Sequence, residues 1–239
     1  MSDRDMILCL CDLTGAMAAP WIENRYRAIL IDPQHGETRV DGAATKIAAT
    51  IDSPAAWEVI RHNMDRIAFV AAFPPCTELA VSGARWFAAK SEADPAFQYR
   101  AMQVVWQCHV IAEMIGVPWF IENPVSRIST FWRRPDFSFH PWHYAALCPA
   151  DHYVKKTCLW TGGGFVMPER SALDGADAPD DRIHKCPPGP ERANIRSATP
   201  LGFARAVFNA NGEADECSSR AIGPACQRWV SEIEAGARA

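Results

Sequence analysis

The amino-acid sequence predicts an α/β fold in which a mostly parallel sheet carries helices on both faces. Short apolar runs that are typical of strands buried on both faces alternate with helical segments. Several of these runs end abruptly in glycine, proline or acidic residues, as strands do at the carboxyl edge of such a sheet. That edge is where open α/β sheets bind their ligands.

The N-terminal region predicts the first part of a nucleotide-binding sheet. A strand over residues 6–11 leads into a turn over residues 12–15 and a short helix over residues 16–24. A second strand, residues 27–31, ends at Asp32. The turn lacks the glycine-rich dinucleotide fingerprint, which disfavours a ligand with a pyrophosphate. A ligand that has a ribose but no phosphates remains possible. Asp32 would then accept hydrogen bonds from the ribose hydroxyls, unless it is only a solvated acid at a strand end.

Two later predicted strands end in residues whose side chains could take part in a reaction. The run over residues 67–73 stops at Pro74 and Pro75, which fix their own φ and present Cys76 on a stiff turn. Most free cysteines are small buried hydrophobes, but a thiol held at this place can be a nucleophile. The run over residues 117–121 stops at Glu122, and a glutamate and a cysteine at neighbouring strand ends can share one cleft. This pairing favours a functional role for Cys76.

The length of the chain fits one large domain, or one domain with a small appendage. A long helix ends at Gly116, and a strand over residues 153–160 contains two lysines. Closing helices are predicted over residues 201–209 and 219–234. The predicted organisation has three parts, which are an α/β core at 1–160, an irregular loop or small lobe at 161–195, and C-terminal helices packing back on the core at 196–239.

Composition restricts the setting. The chain has 239 residues, a formal net charge of −4 and 9 cysteines, which are scattered and are expected to be reduced. The charge argues against a protein that coats nucleic acid but is compatible with a local basic cleft. Because the N-terminus is charged and no apolar run is long enough for a membrane span, we expect a cytoplasmic protein of a bacterium or a phage-infected host, with no membrane contact and no obligate protein partner.

The ordered set of motifs resembles the cytosine-C5 DNA methyltransferases that use S-adenosylmethionine, and among them the short phage and prophage forms. The matching segments are Asp12-Leu13-Thr14-Gly15, Asp32, Pro74-Pro75-Cys76-Thr77, Glu122-Asn123-Pro124, Lys155-Lys156-Thr157 and residues 196–204. The resemblance implies a Rossmann-like class I methyltransferase fold with a minimal target-recognition lobe. It also implies DNA, with the target cytosine flipped out of the helix, as the partner.

The resemblance further implies covalent catalysis. Cys76 would add to C6 of the cytosine so that C5 attacks the methyl group, and a protonated Glu122 would act at N3. Asn123 would position the loop, and Lys155 or Lys156 would stabilise developing charge or hold a phosphate.

The expected cofactor is S-adenosylmethionine or a modified analogue, with no metal. The candidate cofactor-binding residues are Asp12, Leu13, Thr14, Gly15, Asp32, Asp52 and Pro74. The candidate substrate contacts are Pro75, Thr77, Arg85 and Thr157.

Four alternatives remain open. In the first, the same chemistry acts on RNA or on a free cytosine nucleotide. In the second, the transferred group is larger than methyl. In the third, the protein is a catalytically silent DNA-binding relative. The fourth is zinc binding by His140, His143, Cys148 and Cys158, which is disfavoured because no Cys-x-x-Cys accompanies the histidines.

Overall fold

A computed structural model of the chain describes residues 4–189 and 192–212, which form one mixed sheet of eight strands flanked by helices. The strands are β1 Met6–Leu10, β2 Arg27–Ile31, β3 Arg39–Asp41, β4 Ala44–Ile47, β5 Ile67–Ala72, β6 Trp119–Pro124, β7 Phe137–Phe139 and β8 Thr157–Gly162. The α-helices are α1 Ala19–Glu23, α2 Pro54–Asn63, α3 Phe87–Ala93, α4 Phe97–Ile115, α5 Ile128–Phe131, α6 Arg192–Ser197 and α7 Leu201–Asn211. The 3₁₀ turns are Pro33–His35, Met64–Arg66, Val81–Trp86, Pro141–Tyr144 and Pro149–Asp151.

The sheet has the strand order β3-β4-β2-β1-β5-β6-β8-β7. All neighbours from β4 to β6 are parallel, whereas β8 is antiparallel to both β6 and β7, and β3 is antiparallel to β4. From β1 the chain moves to β2 on one side, and from β5 it moves to β6 on the other. The strand order therefore reverses between β1 and β5, and the carboxyl ends of these two strands form the position where such sheets bind ligands.

Two apolar cores flank the sheet, which confirms the prediction of an α/β protein with helices on both faces. One core contains Ile60 of α2 and Val105 of α4. The other contains Trp21 of α1 and Phe203 of α7, and Phe203 stacks on Phe139 with ring centroids 3.9 Å apart. Because both faces are covered, the central strands are continuously apolar rather than alternating.

Three predicted boundaries are wrong, each for a local reason. The first helix begins at Ala19 rather than at residue 16, because the preceding residues form a tight turn around Gly15, whose φ is 70°. β6 continues beyond residue 121 to Pro124, because its last residues pair with β8. For the same reason β8 begins at Thr157, the partner of Pro124, and not at residue 153.

Other elements agree with the sequence or are additional to it. α4 ends at Ile115, and Gly116 follows in the left-handed conformation, as predicted. The short strands β3, β4 and β7 and the helices α3, α5 and α6 are additional. The helix predicted over residues 219–234 lies outside the described residues. Within the part of the chain that the structure describes, no helix has both the length and the apolarity needed to cross a membrane.

Candidate active site

The candidate site lies at the carboxyl edge of the parallel strands. β1, β2, β5 and β6 end at this edge, and the antiparallel β8 begins there. Among the residues that the sequence predicted to be functional, this edge carries Asp12, Asp32, Cys76, Glu122, Asn123 and Lys155.

A buried hydrogen bond joins the cysteine turn to β6. The Nδ2 group of Asn123 donates to the carbonyl oxygen of Pro74 at 2.9 Å, and both residues are buried. Beyond the prolines, the carbonyl oxygen of Cys76 accepts from the backbone N–H groups of Leu79 and Ala80. The half-buried Cys76 is therefore presented by backbone that is held on both sides.

The segments after Cys76 and after β6 are also joined by backbone hydrogen bonds. The N–H of Val81 donates to the carbonyl of Val125 at 2.9 Å, and the N–H of Arg127 donates to the carbonyl of Leu79 at 2.9 Å. Because these bonds fix the two strand ends relative to each other, the separation of the thiol from the β6 carboxyl group is set before any ligand binds.

Glu122 lies where burial favours its acid form more than water does. Its side chain is only 15% exposed, and its Oε1 atom lies 3.9 Å from the Nζ of Lys155, which is too long for a hydrogen bond. Burial raises the pKa of Glu122, and the charge of Lys155 opposes that rise. A protonated carboxyl group is the form that can donate a hydrogen bond.

The thiol of Cys76 belongs to the same electrostatic cluster. Burial raises its pKa, and the charge of Glu122 raises it further, whereas Lys155 and Arg196 lower it. The neutral thiol is therefore favoured, and loss of charge at Glu122 makes the thiolate easier to form. Sequence reasoning missed a role for Arg196, which lies on α6 about 120 residues after Cys76. Its only signal was its position at the start of the C-terminal segment that resembles the phage enzymes.

The structure separates the two candidate lysines. The side chain of Lys155 is 12% exposed and faces Glu122, whereas Lys156 is exposed. The charge of Lys156 acts instead on His140, whose pKa is lowered by burial and then by this lysine. Of the two, Lys155 is the one placed to act at the carboxyl group.

The turn after β1 is organised by Asp12. The Oδ1 of this buried carboxylate accepts from the backbone N–H groups of Thr14 and Gly15, both at 2.9 Å, and from the Thr14 hydroxyl at 3.0 Å. Its Oδ2 is buried and has no hydrogen-bond partner among the described residues. A Cβ atom at Gly15 would lie 2.9 Å from Cδ1 of Leu30, so the turn requires glycine there for both space and φ.

Asp32 and His35 form the neighbouring part of this edge. Asp32 is buried, and its Oδ1 accepts from the N–H of Gln34 at 2.8 Å. His35, which sequence reasoning did not identify, is buried, and its Nε2 has no partner among the described residues. Burial lowers the pKa of His35, and the charge of Asp32 opposes this shift. Unpartnered polar atoms on Asp12 and His35 fit a ligand that brings amino and hydroxyl groups of its own.

The remaining predicted cofactor contacts vary in exposure. Leu13 is half-buried and Thr14 is exposed. Asp52 is exposed in the turn between β4 and α2. Pro74 is buried, and its carbonyl oxygen is the acceptor for Asn123.

The predicted substrate contacts do not all face one space. Pro75 and Thr77 are exposed and line a cavity of about 500 Å³ together with Phe97. Arg85 is exposed, with its guanidinium carbon 5.0 Å from the ring centroid of Trp86. By contrast, Thr157 is buried within β8 and donates its hydroxyl to the carbonyl oxygen of Lys155, so its side chain is not available to a substrate.

The four residues considered for zinc are not brought together. Cys148 packs in a small cluster with Ala16 and Leu201. Cys158 lies in the core that contains α4, on one face of the sheet. Over residues 4–189 and 192–212, no group of three or more histidine, cysteine or acidic side chains has an arrangement that would hold a metal ion.

Comparison of the chain with models of protein families gives no match. A search of curated proteins likewise finds no match to this chain.

Proposed function

We propose that this protein transfers a methyl group from S-adenosylmethionine to C5 of a cytosine in DNA. One observation carries the proposal. The Cys76 thiol and a carboxyl group favoured in its acid form, Glu122, lie at the ends of adjacent parallel strands, with Lys155 acting on both. A nucleophile and an acid held in this way match the reaction, in which the nucleophile adds to C6 of cytosine while the acid donates a proton towards N3.

The fold supports the proposal at a coarser level. The strand order β4-β2-β1-β5-β6 is the 3-2-1-4-5 order of Rossmann-like sheets, and Asp12 and Cys76 follow the two strands at its switch point.

The chemistry assigns a distinct step to each side chain. The Cys76 thiolate adds to C6 of cytosine, which makes C5 nucleophilic. Glu122 donates its proton towards N3, where negative charge develops, and Lys155 stabilises that charge. C5 would then take the methyl group with S-adenosylhomocysteine as the leaving group, and loss of the C5 proton with departure of Cys76 as its thiolate would restore the aromatic ring.

The residues that would hold the methyl donor follow β1 and β2. Asp32 would accept hydrogen bonds from the ribose hydroxyls, and the unpartnered Oδ2 of Asp12 would accept one from a polar group of the donor. When bound, S-adenosylmethionine supplies an electrophilic methyl group. The protein's own task is to hold the cytosine and exclude water.

Product analysis tests the proposal. The protein is incubated with S-adenosylmethionine and, separately, with DNA, RNA and dCMP, and the digested products are examined by mass spectrometry. We expect 5-methylcytosine from DNA, no product with Cys76→Ala, and unchanged product with the control Cys186→Ala, which alters a cysteine outside the site. Product from RNA or dCMP but not from DNA would show that DNA is not the acceptor. A product heavier than 5-methylcytosine would show that the transferred group is larger than methyl. DNA binding without product would support a catalytically silent relative.

A further inference from the structure

A second cavity, which we call the aromatic pocket, adjoins the cavity beside Cys76. Its volume is about 350 Å³, which is at the small end of ligand sites and suits one ring system better than a whole cofactor. Phe97 lines both cavities, and the first is also lined by Pro75 and Thr77, on either side of Cys76. The aromatic pocket is therefore a neighbour of the candidate active site and not a part of it.

Aromatic rings from three helices form the walls of the aromatic pocket. They belong to α3, α4 and α5 and are Phe87, Phe97, Tyr99, Trp106 and Phe131. The ring centroids of Phe87 and Phe97 lie 5.9 Å apart, as do those of Tyr99 and Trp106. Even so, Tyr99 is 58% exposed and Phe131 is 43% exposed. Exposed rings that line a concave space favour a flat apolar ligand, which would cover them.

Arg127 adds a positive charge to these aromatic walls. The residue lines the aromatic pocket, and its guanidinium carbon lies 5.2 Å from the ring centroid of Phe131. Its Nε atom is buried and has no hydrogen-bond partner within residues 4–189 and 192–212. Because arginine presents only donors, the complementary ligand carries acceptors. The rings and the cation together describe a flat ring system with acceptor atoms at one edge.

Hydrogen bonds to the backbone join two walls of the aromatic pocket to the cysteine turn. The N–H of Arg127 donates to the carbonyl of Leu79 at 2.9 Å, and the N–H of Leu79 donates to the carbonyl of Cys76 at 3.0 Å. Gln98, which also lines the aromatic pocket, donates from Nε2 to the carbonyl of Glu78 at 3.1 Å. A ligand in the aromatic pocket would therefore lie beside the molecule that Cys76 attacks.

A nucleobase from the same strand as the target cytosine has the required properties. Every base can stack on an aromatic side chain, so the rings alone would accept any of them. Arg127 adds selectivity, because guanine presents two neighbouring acceptors, O6 and N7, whereas adenine has an amino donor in place of O6. Cytosine also presents an amino group at that edge, and thymine presents one acceptor beside a methyl group. Guanine therefore complements the guanidinium best.

We propose that the aromatic pocket binds a guanine next to the target cytosine, with Arg127 donating hydrogen bonds to its O6 and N7 atoms. The inference rests on the proposed function and specifies it further, because it assigns a sequence preference to the enzyme. The residues responsible lie on α3, α4 and the segment after β6. They lie outside residues 161–195, which the sequence predicted as the target-recognition lobe.

Fluorescence anisotropy in the absence of a methyl donor tests this contact. The probe is a fluorescein-labelled thymine oligodeoxynucleotide with one cytosine that has a guanine on each side. In matched probes the guanines are replaced by adenine or by 7-deazaguanine, which stacks like guanine but lacks N7. We expect 7-deazaguanine to weaken binding to the unaltered protein roughly tenfold, as loss of a hydrogen bond to a charged group does. Adenine should weaken binding at least as much.

Three variants separate acceptor recognition from stacking. Arg127→Gln should bind the guanine and 7-deazaguanine probes equally weakly. Arg61→Gln removes the same charge from an exposed position on α2 and should keep the tenfold discrimination. Tyr99→Ala removes an exposed ring and should weaken binding of all three probes while the preference for guanine remains. Thermal unfolding of each variant confirms that it is folded.

The outcomes distinguish this inference from the proposed function. Equal binding of all three probes by the unaltered protein, binding of none of them, or tenfold discrimination in Arg127→Gln would overturn the role of the aromatic pocket. Formation of 5-methylcytosine without guanine discrimination would remove this role alone. Guanine discrimination by a protein that forms no 5-methylcytosine would retain the aromatic pocket as a base-binding site and remove the proposed reaction.

Discussion

Asn123 donates a hydrogen bond from Nδ2 to the carbonyl oxygen of Pro74 at 2.9 Å, and both residues are buried. This bond links the residue that follows Glu122 to the turn that leads to Cys76. The relative position of acid and thiol therefore depends on this amide group in addition to the two backbone hydrogen bonds that join the segments beyond it. That is a stronger structural constraint than the proximity of two strand ends alone.

Replacement of Asn123 by alanine tests this constraint. Because the Pro74 carbonyl would be left buried without its donor, we expect Asn123→Ala to lower the free energy of unfolding by about 1–3 kcal/mol. We also expect methyl transfer to fall by more than tenfold, since the thiol loses its fixed position. Urea unfolding and the rate of product formation measure the two effects.

A natural control exists on α1. Asn24 donates from Nδ2 to the carbonyl of Pro20 at 2.8 Å, at the helix end and away from the site. Asn24→Ala should therefore change stability while leaving the rate of transfer unaltered. Equal losses of activity in both variants would show that the Asn123 bond has no special role.

The pH dependence of Cys76 alkylation is predicted from its neighbours. The thiolate is the reactive form, and burial together with Glu122 raises the pKa of this thiol, so we expect the midpoint for iodoacetamide modification to lie above that of an ordinary cysteine. In the alkaline range where this thiol titrates, the carboxylate form of Glu122 is the one that opposes the thiolate, so Glu122→Gln should lower the midpoint. Lys155→Gln removes a positive charge and should raise it.

Mass spectrometry of the peptide that contains Cys76 reports this reaction separately from the other cysteines. Lys156→Gln is the matched comparison, because this lysine is exposed and should leave the midpoint unchanged. A shift as large as that of Lys155→Gln would mean that the two lysines are not separated as the structure places them.

Gly15→Ala tests the turn that follows β1. The substitution combines a φ of 70° with a Cβ that would lie 2.9 Å from Leu30, so both the backbone and a core side chain must adjust. We expect weaker binding of S-adenosylmethionine, measured by calorimetry, and a loss of stability greater than the approximately 1–2 kcal/mol of the left-handed conformation alone.

Gly116→Ala isolates the conformational part, because Gly116 has the same φ of 70° and no atom within 4 Å of the added carbon. It should reduce stability by the smaller amount and leave binding of S-adenosylmethionine unchanged. Weaker binding of S-adenosylmethionine in both variants would show that the loss of binding follows from lower overall stability and not from the turn at Gly15.

The central strands could be predicted because burial on both faces leaves a simple apolar signal, as at Ile67–Ala72. β4 gave no such signal, since only Ala44 and Ile47 of its four residues are buried. The extent of β6 depended on pairing with β8, more than thirty residues away in sequence, which no local pattern contains.

Some residues of the candidate site could likewise be predicted from the sequence, whereas others required the structure. Cys76 and Glu122 follow apolar runs, so their position at one edge followed from strand order alone. The different exposures of Lys155 and Lys156 required the actual start of β8. Arg196 and His35 lie in segments without periodicity, and their importance depends on unpartnered buried atoms, which only coordinates reveal.

Covalent trapping tests the central claim, that Cys76 attacks C6 of cytosine. DNA in which fluorine replaces the C5 hydrogen of cytosine has no C5 proton to lose after methylation, so the ring cannot be restored and the cysteine stays attached. With S-adenosylmethionine present, we predict a stable adduct on the peptide containing Cys76, with the added mass of one methylated fluorocytosine nucleotide. Methylation of ordinary cytosine in DNA by Cys76→Ala, or an adduct on any other cysteine, would contradict the account.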